Sequence, residues 1–219
     1  MGLRLGLLLF SVFFLLGFLI LSIFHYNRKF NTSYKIRNYF PYELNYDSYF
    51  TDNAAGNFAM IFMSFCLLGF FATFDLSYNN SFLIAIMIFG ILLTITIPVL
   101  VLTPLKYLKA HIAIVITQFL LSVCLPASIA IASLKSYQDA DGGAIAIISL
   151  IGSTMVAVFF VILALNPRLS LNIRMDEKID ENGQKQYVRP KAIPLAFTEW
   201  MFILSIFIDA IFIFVLKLA

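Results

Sequence analysis

Charge is what this sequence has least of. Only 12% of its 219 residues are Asp, Glu, Lys or Arg, about half the share of a soluble domain. That excludes an ordinary water-soluble globule. The net charge of +3 is too small to hold nucleic acid. Cysteine is nearly missing: Cys66 and Cys124 are the only two, and both sit inside apolar runs. This excludes the disulfide framework of a small secreted domain and leaves both as small hydrophobes. Catalytic signatures are missing too. There is no Gly-x-Ser-x-Gly, no His-Glu-x-x-His and no glycine-rich phosphate loop before a Lys. Neither a cofactor nor a metal is expected, and a non-enzymatic role follows from these absences.

What is abundant is apolar side chain, at 61% hydrophobic with 24 Phe and 10 Tyr. No soluble core hides that much, so lipid is the expected solvent. The wealth of Phe, Ile, Leu, Asn and Tyr points to AT-rich bacterial coding, hence to a bacterial cell membrane.

About 20 apolar residues cross a hydrocarbon core of roughly 30 Å as a helix. Six stretches qualify: Leu5–Phe24, Asn57–Phe74, Phe82–Leu102, Ala110–Ala132, Ala144–Leu165 and Leu195–Val215. The first is longer than a signal-peptide core of about 7–15 residues. It meets His25, Tyr26, Asn27, Arg28 and Lys29 rather than a cleavage site, and so reads as a retained anchor. Backbone amides in lipid must be satisfied within the segment, which selects helices. The expected fold is an all-α bundle of six transmembrane helices in one polytopic domain.

Twelve of the fifteen Lys and Arg fall in three connections, 25–56, 103–109 and 166–194. Basic connections stay in the cytosol, so both termini are expected outside. Arg4 opposes this locally. Laying the first segment flat would accommodate Arg4, but that segment has no polar face.

The 25–56 loop mixes six Tyr with Arg28, Lys29, Lys35 and Arg37. It reads as a juxtamembrane anchor in the headgroup zone, with any helix interrupted at Pro41. The 166–194 loop reads as a β-hairpin. Leu169, Leu171 and Ile173 alternate with polar residues, Asn182-Gly183 offers a primed turn, and Gln186 to Val188 returns. An isolated hairpin is marginal, so it leans on helix ends, on lipid or on a protein partner.

Asp209 sits deep in the sixth span. A carboxylate there costs on the order of 3 kcal/mol on insertion scales, so it faces the bundle interior. It lies about 18 Å outward from Phe197, and Ser122 lies at about 16 Å from His111, by the helical rise. Pro126 lacks the amide that would bond the Ser122 carbonyl. A protonated Asp209 is expected to donate to that carbonyl or to the Ser122 hydroxyl, with Ser149 and Ser153 of the fifth span at similar depth. A packing clasp is favoured over a proton relay, because relays use more than one ionisable group. Ser149, Ser153 and Ala157, with Gly152 beside them, let helices approach closely. Pro98 and Pro126 are expected to bend the third and fourth spans.

At the inner boundary, His25 ends the first span, His111 opens the fourth and Glu199 opens the sixth. Two His and a carboxylate at one depth match a metal donor set, but no spacing motif supports one. The leading expectation is an accessory or partner protein, a complex subunit or a protector against a membrane-acting toxin. The rival is a small ion-linked carrier using Asp209, and a more distant rival is a lipid-modifying enzyme.

The sidedness is directly testable. A reporter fused after Ala219 is expected outside the cytoplasm and one inserted at Asn182-Gly183 inside it. A cytoplasmic reporter after Ala219 reverses the topology.

Overall fold

The computed structural model describes residues 2–45, 51–73, 81–103, 107–138, 143–166, 169, 176–179 and 185–216. Six long helices dominate it: α1 (Gly2–Phe30), α2 (Ala54–Ala72), α3 (Ser81–Leu102), α4 (Leu108–Gln138), α5 (Gly143–Ala164) and α6 (Pro194–Val215). All six are long and apolar enough to cross a membrane. The chain is thus a multi-pass helical membrane protein by architecture.

The helices match the six apolar runs and overshoot two of them. α1 continues through His25 to Phe30, and α4 begins before Ala110 and runs on to Gln138. An apolar run ends where lipid ends, but a helix continues wherever its i to i−4 bonds persist. At 29 and 31 residues these helices reach about 45 Å, beyond a hydrocarbon core of roughly 30 Å. Asn31, at φ 49°, ends α1 in the left-handed conformation that Asn tolerates. Pro41 opens a short 3₁₀ turn, Pro41–Asn45, and Pro194 opens α6, as the missing amide permits at a first helical position. Pro98 and Pro126 lie inside α3 and α4 without ending either.

Each helix packs on the next in sequence from α1 to α5, and α6 inserts against α1, α3, α4 and α5. α6 is the most enclosed helix, and α5 and α1 are the least. Their outer faces, with Leu9, Phe13, Ile20 and Phe24 on α1 and Ile148, Met155 and Ile162 on α5, are exposed. That is the expected distribution when lipid is the outer solvent. The main core gathers Met60, Met63, Phe70, Leu93, Ile97, Trp200, Ile203 and Ile206. A second core unites Phe40 and Tyr42 with Val115, Phe160, Leu195 and Phe202.

A hairpin forms between 176 and 188; of the alternating Leu169, Leu171 and Ile173, the last two lie outside the described residues. Strand β1 is Asp176–Ile179 and strand β2 is Lys185–Val188, antiparallel with Asp176 opposite Val188 and Ile179 opposite Lys185. Leu169 instead packs, half-buried, on the second core. An apolar side chain next to a helix bundle gains more from that surface than from a two-stranded ribbon in water. The charged strands suit solvent, with Lys185 and Glu177 3.2 Å apart. Asn182-Gly183 and the 75–80 connection lie outside the described residues.

Arg4 also finds its reason here. Buried on α1, it donates from Nε to the Thr73 hydroxyl at 3.3 Å and from Nη2 to the Thr73 carbonyl. Thr73 caps α2, where a cation meets the negative end of the helix dipole. Arg4 is held by the fold rather than by a leaflet.

Close helix contact supplies a stability test. A Cβ at Gly90 of α3 would overlap the ring of Phe71, whereas one at Gly6 meets nothing within 4 Å. Phe71 is fully buried and has no room to turn. Gly90→Ala is expected to destabilise by about 1–3 kcal/mol, and Gly6→Ala to be neutral or slightly stabilising, read by thermal melting in mild detergent.

Candidate functional site: a polar seam between helices 4, 5 and 6

Two stripes of the bundle interior carry polar groups. α4 buries His111, Val115, Gln118, Ser122, Leu125, Ile129 and Ala132, alternating steps of four and three that define one helix face. α6 buries Glu199, Phe202, Ile206, Asp209 and Ile213 at the same alternation. α5 adds Ala146, Ser149, Ser153 and Phe160.

Side-chain contacts bring these faces together. His111 Nε2 hydrogen-bonds Glu199 Oε1 at 3.2 Å. The Phe202 ring meets Phe119 of α4 edge-on at 4.8 Å and stacks on Phe160 of α5 at 5.4 Å. Further along, Phe212 packs against Gly152, where no Cβ would fit. α4 runs parallel to α6, so Ser122, eleven residues beyond His111, and Asp209, ten beyond Glu199, both lie about 15 Å into the bundle. α5 runs antiparallel, which puts Ser153 near the level of Asp209 and Ser149 one turn further out.

The expected clasp is not made. Among the described residues neither carboxyl oxygen of Asp209 has a hydrogen-bond partner, nor do the hydroxyls of Ser122 and Ser149. All three side chains are fully buried. Ser153 turns inward on its own helix and donates to the Ser149 carbonyl at 2.5 Å. The bulky rings of Phe119, Phe160, Phe202 and Phe212 pack between α4, α5 and α6, and the short Ser122 and Ser149 hydroxyls make no bond among the described residues. Gln118, invisible to a search for charged groups, lies between the boundary pair and this level. It is fully buried, and neither atom of its amide has a partner among the described residues. Its signal was present in the sequence: an amide seven residues after His111 and four before Ser122, on one stripe.

Of the three boundary residues, the structure joins His111 to Glu199 and leaves out His25. Among the described residues no three His, Cys, Asp or Glu side chains are placed to share a metal ion. His25 Nε2 is buried on α1 without a partner among the described residues, and α1 does not pack on α4. His111 keeps Nδ1, and Glu199 keeps Oε2, buried and without a partner among the described residues.

The seam is closed at this end by the two polar connections, which dock on each other. Arg189 donates from Nη1 and Nη2 to the two carboxyl oxygens of Glu43, each at 2.7 Å, and from Nε to the Asn38 carbonyl at 2.6 Å. Its guanidinium covers the Tyr39 ring at 4.4 Å. The Phe40 amide donates to Glu43 Oε2 at 2.6 Å, the Trp200 indole to the Tyr39 carbonyl at 3.0 Å, and the Ile193 amide to the Arg37 carbonyl at 2.8 Å. Tyr42, one residue before Glu43, stands edge-on to His111 at 5.0 Å. Burial of Arg189 works against its charge, but the bonds and charge of Glu43 outweigh it and raise the guanidinium above its usual value. Burial likewise holds the Tyr34 hydroxyl well above the usual phenol range, so it stays a donor to the Phe40 carbonyl at 2.7 Å.

Neither a protein-family model, nor a curated protein, nor a solved structure matches this chain. The fold and the seam therefore define its class, a multi-pass helical membrane protein with a buried polar interior, without assigning it a family.

The clamp is open to a direct test. Arg189→Gln is expected to cost about 1.5–3 kcal/mol, the range for hydrogen bonds to a charged partner, and Arg189→Lys to recover only part of it because the bidentate fork is lost. Adding Glu43→Gln to Arg189→Gln is expected to cost less than the sum of the single changes. Strict additivity in thermal melts excludes the clamp.

Proposed function

We propose that this chain is a small ion-linked carrier whose working groups lie on the seam between α4, α5 and α6. The observation that carries the reading is Asp209, fully buried in the sixth span with both oxygens lacking a partner among the described residues. A group that served only to pin helices together would have its bonds made, since an unmet buried carboxyl costs several kcal/mol. The objection that relays need more than one ionisable group loses force beside His111 and Glu199, which share the seam with Asp209 and lie one boundary away from it. Gln118 between them, Ser122 at the level of Asp209 and Ser149 one turn beyond supply further donors and acceptors for water or a solute. The Tyr42 and Glu43–Arg189 closure corresponds to a carrier shut toward the side of its basic loops, the cytosol by the distribution of Lys and Arg.

A second reading, a non-enzymatic accessory subunit or protector, draws on the hairpin. Its strands are exposed, and a short ribbon with two open edges is a ready template for a partner chain. A lipid-modifying role at the inner boundary fits less well, because His111 and Glu199 are enclosed behind Tyr42 rather than open to headgroups.

The carrier reading is tested in proteoliposomes holding a pH-sensitive or sodium-sensitive dye under an imposed membrane potential. Protein-dependent flux is expected, falling to the protein-free rate in Asp209→Asn and partly retained in Asp209→Glu. Wild-type flux equal to that of empty vesicles for both ions contradicts it. Co-purification of a second chain, abolished by removing 176–188, would then favour the accessory reading.

A further inference from the structure

We infer that Asp209 forms the anionic wall of a mid-membrane site for one monovalent cation, a proton or an ion of the sodium class; this deepens the carrier reading and rests on it for function but not for binding. Charge counting carries the argument. α3 and α5 contain no Asp, Glu, Lys, Arg or His, α4 has none between His111 and Lys135, and α6 has none after Glu199 except Asp209 itself. α1, the remaining helix against α6, carries Arg4, His25, Arg28 and Lys29 towards its ends, and Arg4 is engaged with Thr73. The 3₁₀ turn that touches α6 offers Glu43, which is held by Arg189. The nearest titratable pair, His111–Glu199, lies about 15 Å away along the seam. Among the described residues no protein cation therefore reaches Asp209.

A carboxylate in a low-dielectric interior needs its charge neutralised. One positive charge achieves this. A divalent ion leaves a residual charge of the opposite sign, at a similar cost. The groups within a turn of the level of Asp209 that lack a partner among the described residues are hard oxygens suited to such an ion. The Ser122 and Ser149 hydroxyls are fully buried and have no partner among the described residues. The Ser122 carbonyl receives no bond from position 126, because Pro126 has no amide hydrogen. A carboxylate, hydroxyls and a released carbonyl match the oxygen set by which interrupted membrane helices hold Na⁺ or H⁺.

The test uses the full chain in mild detergent, with melting followed by Trp200 fluorescence. Sodium, potassium and choline chloride are compared at equal ionic strength, and choline is then titrated from acid to alkaline pH. A sodium-class occupant raises Tm in sodium over choline. Ser149→Ala and Ser122→Ala then raise the sodium concentration for half the effect at least tenfold, and Asp209→Asn abolishes the response. A proton occupant gives a Tm indifferent to the salt that falls as pH rises, since loss of the bound proton leaves a bare carboxylate. Asp209→Asn removes the component of that fall that wild type alone shows. Identical responses of wild type and Asp209→Asn to both salt and pH overturn the inference. If Asp209→Asn does not fold, the sodium arm is decided by the two serine variants and the proton arm by Asp209→Glu, whose midpoint must shift from that of wild type. A binding response without flux refutes the carrier and keeps the site, whereas flux that survives Asp209→Asn without a binding response does the reverse.

Discussion

Lipid offers no hydrogen bonds, and that constraint orders everything else in this molecule. The backbone answers it by closing on itself in six helices. Side chains answer it by position. Apolar groups face outward on α1 and α5, where a soluble protein would present charge. Polar groups are drawn to the interior around α6, the one helix enclosed on most sides. Polar groups interspersed with apolar ones on an interior seam, inside an apolar shell, are the arrangement that a hydrocarbon solvent favours.

Within that interior the polar groups divide into two populations. At the loop-bearing end the network around Glu43 and Arg189 is satisfied, although His25, His111 and Glu199 each keep one buried polar atom without a partner among the described residues. Arg189 and Glu43 share two parallel bonds, Tyr34, Trp200 and Phe40 use backbone or carboxyl acceptors, and aromatic rings cover the whole. Such a network holds two connections, distant in sequence, in one arrangement. In the middle of the membrane the reverse holds: Gln118, Ser122, Ser149 and Asp209 have buried polar atoms without protein partners among the described residues. Satisfied networks rigidify a fold, and unsatisfied ones mark where something else belongs.

Much of this was legible from residues alone. Long apolar runs locate the six helices, because hydrocarbon thickness sets their length. The burial of Asp209 follows from its cost in lipid. What depended on three dimensions escaped. The Glu43–Arg189 pair joins residues far apart in the chain, and no local pattern announces it. Leu169 alternated like a strand residue but packs on the second core, since periodicity records which side is apolar and not what it will touch. His25, His111 and Glu199 share a boundary, yet depth along the membrane normal says nothing about position around the bundle, and only two of them meet. Gln118 bears no charge to mark it, although a buried amide without a partner among the described residues carries a similar message in a membrane interior.

The central claim is that the Asp209 carboxyl exchanges with an aqueous phase rather than sitting in a sealed core. Infrared difference spectroscopy of the membrane-embedded chain tests this most directly, with Asp209→Asn used to assign the carboxyl signal. An exchanging site gives a band that shifts when the membrane is moved from H₂O to D₂O, or is lost when sodium or alkali removes the proton. A band that responds to neither, in a protein whose surface amides exchange freely, would mean that no ion reaches Asp209 and that the seam is not a pathway.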